Sequence, residues 1–227
     1  YDLCIDIFGA DHMDAYPDVI EVVKQLGYDE SKIKVVIHQF ISILNKGKQV
    51  KMSTRKATYI TLDELINEVG SDVVRYFFIM RNMNSHLNFD LDLTKEQSKD
   101  NPLYYIQYAH ARICSVFNKL VEEKRAYKEK IALENLTLLD SLKETEILQL
   151  LTEFPDIIER AAKNYEPHLV CYYLRELAAV FHSYYNSEKV LVEEDGELQA
   201  KLYMLSAIRQ VIFNGLTLLS ISAPESM

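Results

Sequence analysis

An α/β segment followed by an all-α bundle is the architecture this sequence predicts, and three observations carry the prediction. Over residues 1–97, short apolar runs rich in β-branched residues alternate with helical patterns. From Pro102 onward no convincing strand remains and the apolar stripes have helical period. Six Gly and five Pro in 227 residues are few, which favours long helices over a sandwich of many strands. The polar stretch 94–101 is the linker, so the division falls between residues 1–97 and 98–227.

The elements follow in order. Residues 3–8 form a first apolar strand ending in "GADH", and residues 14–26 carry Val19, Val22, Val23 and Leu26 on one helical face, with Gly27 as the stop. Residues 33–40 read as a second buried strand. Thr61 and Glu64 form a capping box, each satisfying an orphan backbone donor at a helix start. That helix stops near Gly70, and "SDVVRYFFIMRN" begins another at once. In the second part Ile106, Ala109, Ile113, Val116 and Leu120 make one stripe. Val170, Leu174, Leu177 and Phe181 make the next, and Leu202, Leu205, Ile208, Ile212 and Leu216 the last. Ser141 and Glu144 form a second capping box, opening a helix that runs towards Phe154. Pro155 and Pro167 stand where helices are expected to start, because a missing N–H costs nothing there. The result is the end of an α/β sheet domain with small helices appended, joined to a helical bundle.

Composition narrows the function classes. Hydrophobic residues at 48% and charged residues at 26% are the balance of a chain with a real core. A net charge of −9 argues against general nucleic-acid affinity, since phosphate binding wants cations. Yet Lys46, Lys48, Lys51, Arg55 and Lys56 fall close together with no acid among them, and a local basic surface acts over roughly 8–10 Å. Cys4, Cys114 and Cys171 are odd in number and far apart, which suggests reduced thiols in a cytosolic protein and not a disulfide framework or zinc site. No apolar run reaches membrane-spanning length. The chain opens as "YDLCIDIFG", directly in a strand and without an initiator Met. A piece of a longer protein is therefore expected, with strand edges at residues 1–8 and 33–40 exposed to association if their neighbours are gone.

Two segments could carry chemistry. In an open α/β sheet, ligands sit at the carboxyl ends of strands, which is where "GADH" lies. Gly9 would let the backbone approach a ligand, and Asp11 and His12 could bind its polar groups; the alternative is a strand-to-helix turn with a capping Asp. No further ligands recur near Asp11, His12 and Asp14 at a spacing that suits a metal. The basic segment, with Gly47 and Ser53 among its cations, suits a loop closing over phosphates, where charge that develops as pyrophosphate leaves is stabilised. Its alternative is a solvated surface hairpin.

"KMSTR" (residues 51–55) resembles the signature loop of class I aminoacyl-tRNA synthetases. "GADHMDAY" before it and "VRYFFIMRNMNSHLNFDLDL" after it resemble the arginyl-tRNA synthetase family in particular, as do "NPLYYIQYAHARI" and the terminal "NGLTLLSISAPESM". The resemblance runs through the whole chain in order. It implies the C-terminal part of an ATP-dependent ligase that activates L-arginine as an adenylate and passes it to its tRNA. ATP with Mg2+ is then a substrate complex, no metal is bound by the protein itself, and the intact enzyme is expected to be a cytoplasmic monomer. On the same basis Lys51 and Ser53 act on the ATP phosphates beside Met52, while Gly9, Asp11 and His12 border the arginine and adenosine pockets. Thr54 departs from the family signature, which has a lysine there, so Arg55 or Lys56 is the candidate replacement. The family's His-rich ATP-binding turn is absent, and no adenylate formation is expected from these residues alone.

The resemblance makes residues 1–97 the C-terminal part of a Rossmann-like, nucleotide-binding catalytic domain and residues 98–227 the anticodon-binding domain, with Tyr108, Tyr173, Arg112 and Met227 its candidate tRNA contacts. Exposed aromatics can stack on splayed bases for about 1–3 kcal/mol each without a strongly basic surface. The fifteen tyrosines could equally be packing residues. Asp90 and Asp92 read as structural groups in the interdomain joint. His38, His86, His168 and His182 are scattered, with no nucleophile or metal partner visible. A non-catalytic tRNA-binding or interaction module derived from such an enzyme is the alternative to the ligase reading.

Overall fold

The computed structural model describes residues 1–50 and 60–227. Strand β1 (Cys4–Gly9) leads through a 3-10 turn (Ala10–His12) into helix α1 (Tyr16–Gln25), which has Pro17 in its first turn. The chain turns at Gly27, whose φ of 83° suits a residue without a Cβ. Strand β2 (Ile33–His38) then pairs in parallel with β1, from Cys4 opposite Ile33 to Gly9 opposite His38.

Both strands were expected to be buried; β1 is mostly exposed and β2 is only half-buried. Ile7 is 68% exposed, and the α1 stripe is open too, with Leu26 at 69%. Two strands and one helix supply no second layer to cover an apolar face, so the pattern is present and its partner is not.

A second sheet is built from β3 (Ile41–Asn45), β4 (Lys48–Gln49) and β5 (Leu87–Asp90), with β3 central, antiparallel to β4 and parallel to β5. Lys46 and Gly47, both at positive φ, make the two-residue hairpin turn that suits strand twist. The first cations of the basic segment therefore lie on a hairpin. Helix α2 (Leu62–Val69) starts at the Thr61–Glu64 capping box, and α3 (Ser71–Ile79) follows across Gly70. The short α4 (Leu91–Lys95) is capped by Asp90, and the Asp92 carboxylate accepts from the Lys46 N–H at 2.6 Å. Both acids thus serve backbone donors.

Asn101 caps α5 (Pro102–Glu122), and α6 (Glu129–Glu134), α7 (Leu142–Asn164), α8 (His168–Ser187) and α9 (Asp195–Leu218) complete the bundle. All three expected stripes are buried. The Ser141–Glu144 box opens α7, and Pro167 stands at the N-cap of α8. Pro155 departs from expectation: it lies inside α7, not at a helix start. Its missing N–H forfeits the bond to the Leu151 carbonyl. Phe154, Ile157 and Ile158 pack on the core around it, and such tertiary packing carries most helical stability in proteins.

The core is continuous from Ile43, Val74, Phe77 and Phe89 into the stripes of α5, α8 and α9, so it crosses the linker at 94–101. All three cysteines are free; burial holds the Cys171 thiol un-ionised, its pKa pushed up to about 12.

Candidate nucleic-acid interface

Burying one stripe of α5 leaves its remaining side chains to be sorted by the same period. Tyr104, Tyr108 and Arg112 follow at intervals of four, so they stand one above another along the helix. The Tyr104 and Tyr108 rings stack with centroids 5.9 Å apart. The Arg112 guanidinium lies 4.6 Å from the centre of the Tyr108 ring and 4.8 Å from that of Tyr185, which α8 brings in. Each such contact contributes about 0.5–2 kcal/mol. Arg112 Nη2 donates to the Tyr108 hydroxyl at 2.9 Å, and Nη1 donates to Asn186 Oδ1 at 3.4 Å. A cation held between two rings keeps its remaining N–H donors for a ligand, and such donors suit phosphate oxygens or base acceptors.

His182 closes the cluster from α8. Its Nε2 lies 3.1 Å from the Tyr105 carbonyl and its Nδ1 lies 3.4 Å from Arg112 Nη1. Its ring also stacks on Tyr108 at 5.6 Å. Burial lowers its pKa below the usual 6.5; the Tyr105 carbonyl opposes that shift and the Arg112 charge adds to it.

The C-terminal segment is tied to the same helix. Gln107 Nε2 donates to the Ser222 carbonyl at 2.9 Å, and His110 Nδ1 lies 2.8 Å from the Pro224 carbonyl. Asp72, in the first turn of α3, accepts from the Ser222 N–H at 3.1 Å and also from its hydroxyl. Met227, three residues beyond Pro224, is 53% exposed.

Tyr173 does not join this surface. It is 3% exposed, its hydroxyl donates to the Leu150 carbonyl at 2.8 Å, and its ring packs on Phe154, so no face is open to a base. Period explains it: one residue before Leu174 keeps it on the buried side, while Tyr172 stays outside at 45%. At the other end of the chain, Gly9, Asp11 and His12 are exposed together at the carboxyl end of β1. Asp11 lies 3.7 Å from His12, and its side chain caps neither the 3-10 turn nor α1, so the segment is a strand-to-helix turn without the capping Asp of the alternative reading. Lys51, Met52, Ser53, Arg55 and Lys56 lie outside the described residues. Among the described residues no group of three His, Cys, Asp or Glu is placed to hold a metal ion, and no helix is long and apolar enough to cross a membrane.

Residues 106–227, which include Tyr108, Arg112, His182 and Tyr185, match the family described as the DALR anticodon binding domain. This chain belongs to that family. It is also 48% identical over its whole length to the arginine–tRNA ligases of Coxiella burnetii (strain RSA 493 / Nine Mile phase I) and Legionella pneumophila (strain Corby). It spans only 38% and 39% of those relatives' own length. Among solved structures, a Campylobacter jejuni protein assigned to the arginyl-tRNA synthetases superposes over the whole chain and 48% of its own, with a TM-score of 0.87 at 29% identity. Thermus thermophilus arginyl-tRNA synthetase gives a TM-score of 0.76 over the whole chain and 41% of its own; at 20% identity that likeness is one of fold.

Within the DALR domain, Tyr185 and Asn186 were not singled out by sequence, although with His182 they repeat at helical spacing on α8. What could not be read is that they meet Arg112 across 70 or more residues. A groove of about 470 Å³ lies beside them, lined by Ser115, Lys119, Arg125, Tyr185 and Lys189 together with acidic neighbours including Glu188. It is large enough for a nucleotide-sized group.

Proposed function

We propose that this chain is part of an arginine–tRNA ligase, in which residues 98–227 bind the anticodon region of the tRNA and residues 1–97 belong to the ATP-dependent catalytic domain. The observation that carries the first half is Arg112, held within 4.6 and 4.8 Å of the ring centres of two tyrosines on the DALR domain. Tyr104 ends the stack on one side, and the groove past Tyr185 continues it on the other. Whole-length identity to arginine–tRNA ligases supports the second half and favours the enzyme over a stand-alone module.

On this reading the intact enzyme activates L-arginine with ATP·Mg2+, releases pyrophosphate, and transfers the arginyl group to the terminal ribose of its tRNA. Lys51 and Ser53 act on the ATP phosphates beside Met52. Arg55 or Lys56 reaches the phosphates in place of the lysine that Thr54 replaces. Gly9, Asp11 and His12 border the arginine and adenosine pockets, at the strand ends where such sites form. The site works as a cytoplasmic, monomeric enzyme.

The test is binding of the chain to an arginine tRNA and to the same tRNA with a changed anticodon, across a salt series. Discrimination that survives added salt is expected, because base contacts do not release counterions as phosphate contacts do. Arg112→Ala and Tyr108→Ala should each reduce it. Weak binding that salt erases, with no discrimination, would overturn the reading for the bundle.

A further inference from the structure

We propose that His182 is the positioning residue for Arg112, accepting from the guanidinium through Nδ1 and so fixing the plane in which Arg112 offers its remaining donors to RNA. The inference rests on the reading of Arg112 as an RNA contact and adds the device that aims it.

Hydrogen-bond chemistry dictates the tautomer. A carbonyl oxygen can only accept, so the contact between Nε2 and the Tyr105 carbonyl at 3.1 Å puts the proton on Nε2. In a neutral ring Nδ1 is then bare, and what faces it at 3.4 Å is the N–H of Arg112 Nη1. Donor and acceptor therefore run in one direction, from Arg112 through the imidazole to the backbone of α5. Asn186 takes a second Nη1 hydrogen and Tyr108 takes one from Nη2. Three of the five guanidinium donors are thus used, leaving Nε–H and one Nη2 hydrogen. The Tyr108 and Tyr185 rings hold the guanidinium in place, and those two donors are what it can still offer a ligand.

Protonated His182 cannot play this part. With hydrogens on both nitrogens, Nδ1 would present a donor to a donor and a positive charge to a positive charge. Arg112 is the charged group recorded against His182 among the described residues. The other titratable groups facing it are Tyr105 and Tyr108 from α5, and among the described residues no carboxylate pairs with it to shelter an imidazolium. Burial and the Arg112 charge both favour the neutral ring.

The sign of the pH effect separates this role from a bland one. An imidazolium that merely added a cation near RNA would strengthen binding as pH falls. A positioning imidazole must weaken anticodon discrimination instead. The experiment measures affinity of the full chain for an arginine tRNA and for its anticodon-changed form, from about pH 7.5 down to about pH 5. In the wild type discrimination should begin to fall only at the low end of that range, because burial and the Arg112 charge hold the His182 pKa below the usual 6.5. His182→Phe keeps a ring but has no acceptor, and should show roughly tenfold weaker discrimination at every pH. His182→Asn puts an amide oxygen near the place of Nδ1 and should recover most of the discrimination while removing its pH dependence. Thermal unfolding of each variant separates misfolding from mispositioning. If His182→Phe does not fold, His182→Asn still decides, since discrimination lost in a folded His182→Asn would overturn the proposal. Discrimination in His182→Phe equal to that of the wild type at about pH 7.5, or wild-type discrimination that rises towards low pH, would overturn the proposal. Arg112→Ala without effect would instead overturn the reading of Arg112 on which it rests.

Discussion

The Ser222 N–H donates to the Asp72 carboxylate at 3.1 Å, joining the last residues of the chain to the first turn of α3. The Ser222 hydroxyl donates to the same oxygen, so one carboxylate holds two groups of the tail. Asp72→Asn keeps the size and weakens the acceptor. Because the contact is solvent-exposed, the cost to global stability should stay near ~1 kcal/mol or below. The local effect should be larger: faster amide hydrogen exchange at Ser222 and beyond, with the packing of Ile221 unchanged. Protection at Ser222 equal to the wild type would show that Gln107 and His110 secure the tail without Asp72.

Tyr173 should behave as a core residue. Tyr173→Phe removes the hydroxyl that serves the Leu150 carbonyl, and should cost about 1 kcal/mol in urea unfolding while leaving RNA affinity unchanged. A selective loss of RNA binding with stability intact would contradict this placement. Tyr108→Ala should show the opposite split.

Pro155 interrupts a helix of 23 residues. Pro155→Ala restores an N–H to the Leu151 carbonyl and removes a poor helix former, which favours the variant by up to about 3 kcal/mol. The greater freedom of the unfolded variant chain offsets roughly 1 kcal/mol of that. A higher urea midpoint with an unchanged slope is expected; a lower one would mean that α7 needs the bend there.

Gly215 marks the close approach of α9 to α8. A Cβ built there meets Leu174 Cδ2 at 2.7 Å and Cγ at 3.1 Å, and Leu174 is fully buried with little room to shift. Overpacking costs about 1–3 kcal/mol, against about 1 kcal/mol gained in helix propensity. Gly215→Ala should therefore destabilise, as calorimetry would reveal in a lower Tm.

The stability of the fold should also report on His182. Its folded pKa lies below 6.5, so the unfolded chain binds the proton more readily. The contribution is complete above about pH 6.5 and is lost as pH falls through the folded value. In His182→Phe the urea midpoint should vary less with pH over that window.

Much of this was legible in one dimension. The stripes led by Ile106, Leu174 and Leu205 are buried as their period requires, and Thr61 and Ser141 cap the helices they were expected to cap, because caps and stripes are local properties of the chain. Pro155 was misplaced for the same reason: local propensity says helix start, and packing on both sides of it says otherwise. Tyr108 and Arg112 could be picked out because four residues on one helix set them together. Tyr173 could not be told from Tyr172 without knowing which way α8 is turned. The sequence by itself determined the helices, their caps and their apolar faces, since each depends on neighbours within a few residues. Only the tertiary structure decided that His182, Tyr185 and Asn186 close around Arg112, and that Ser222 reaches Asp72. Those contacts join residues 70 to 150 positions apart, and their geometry is set by how whole helices pack.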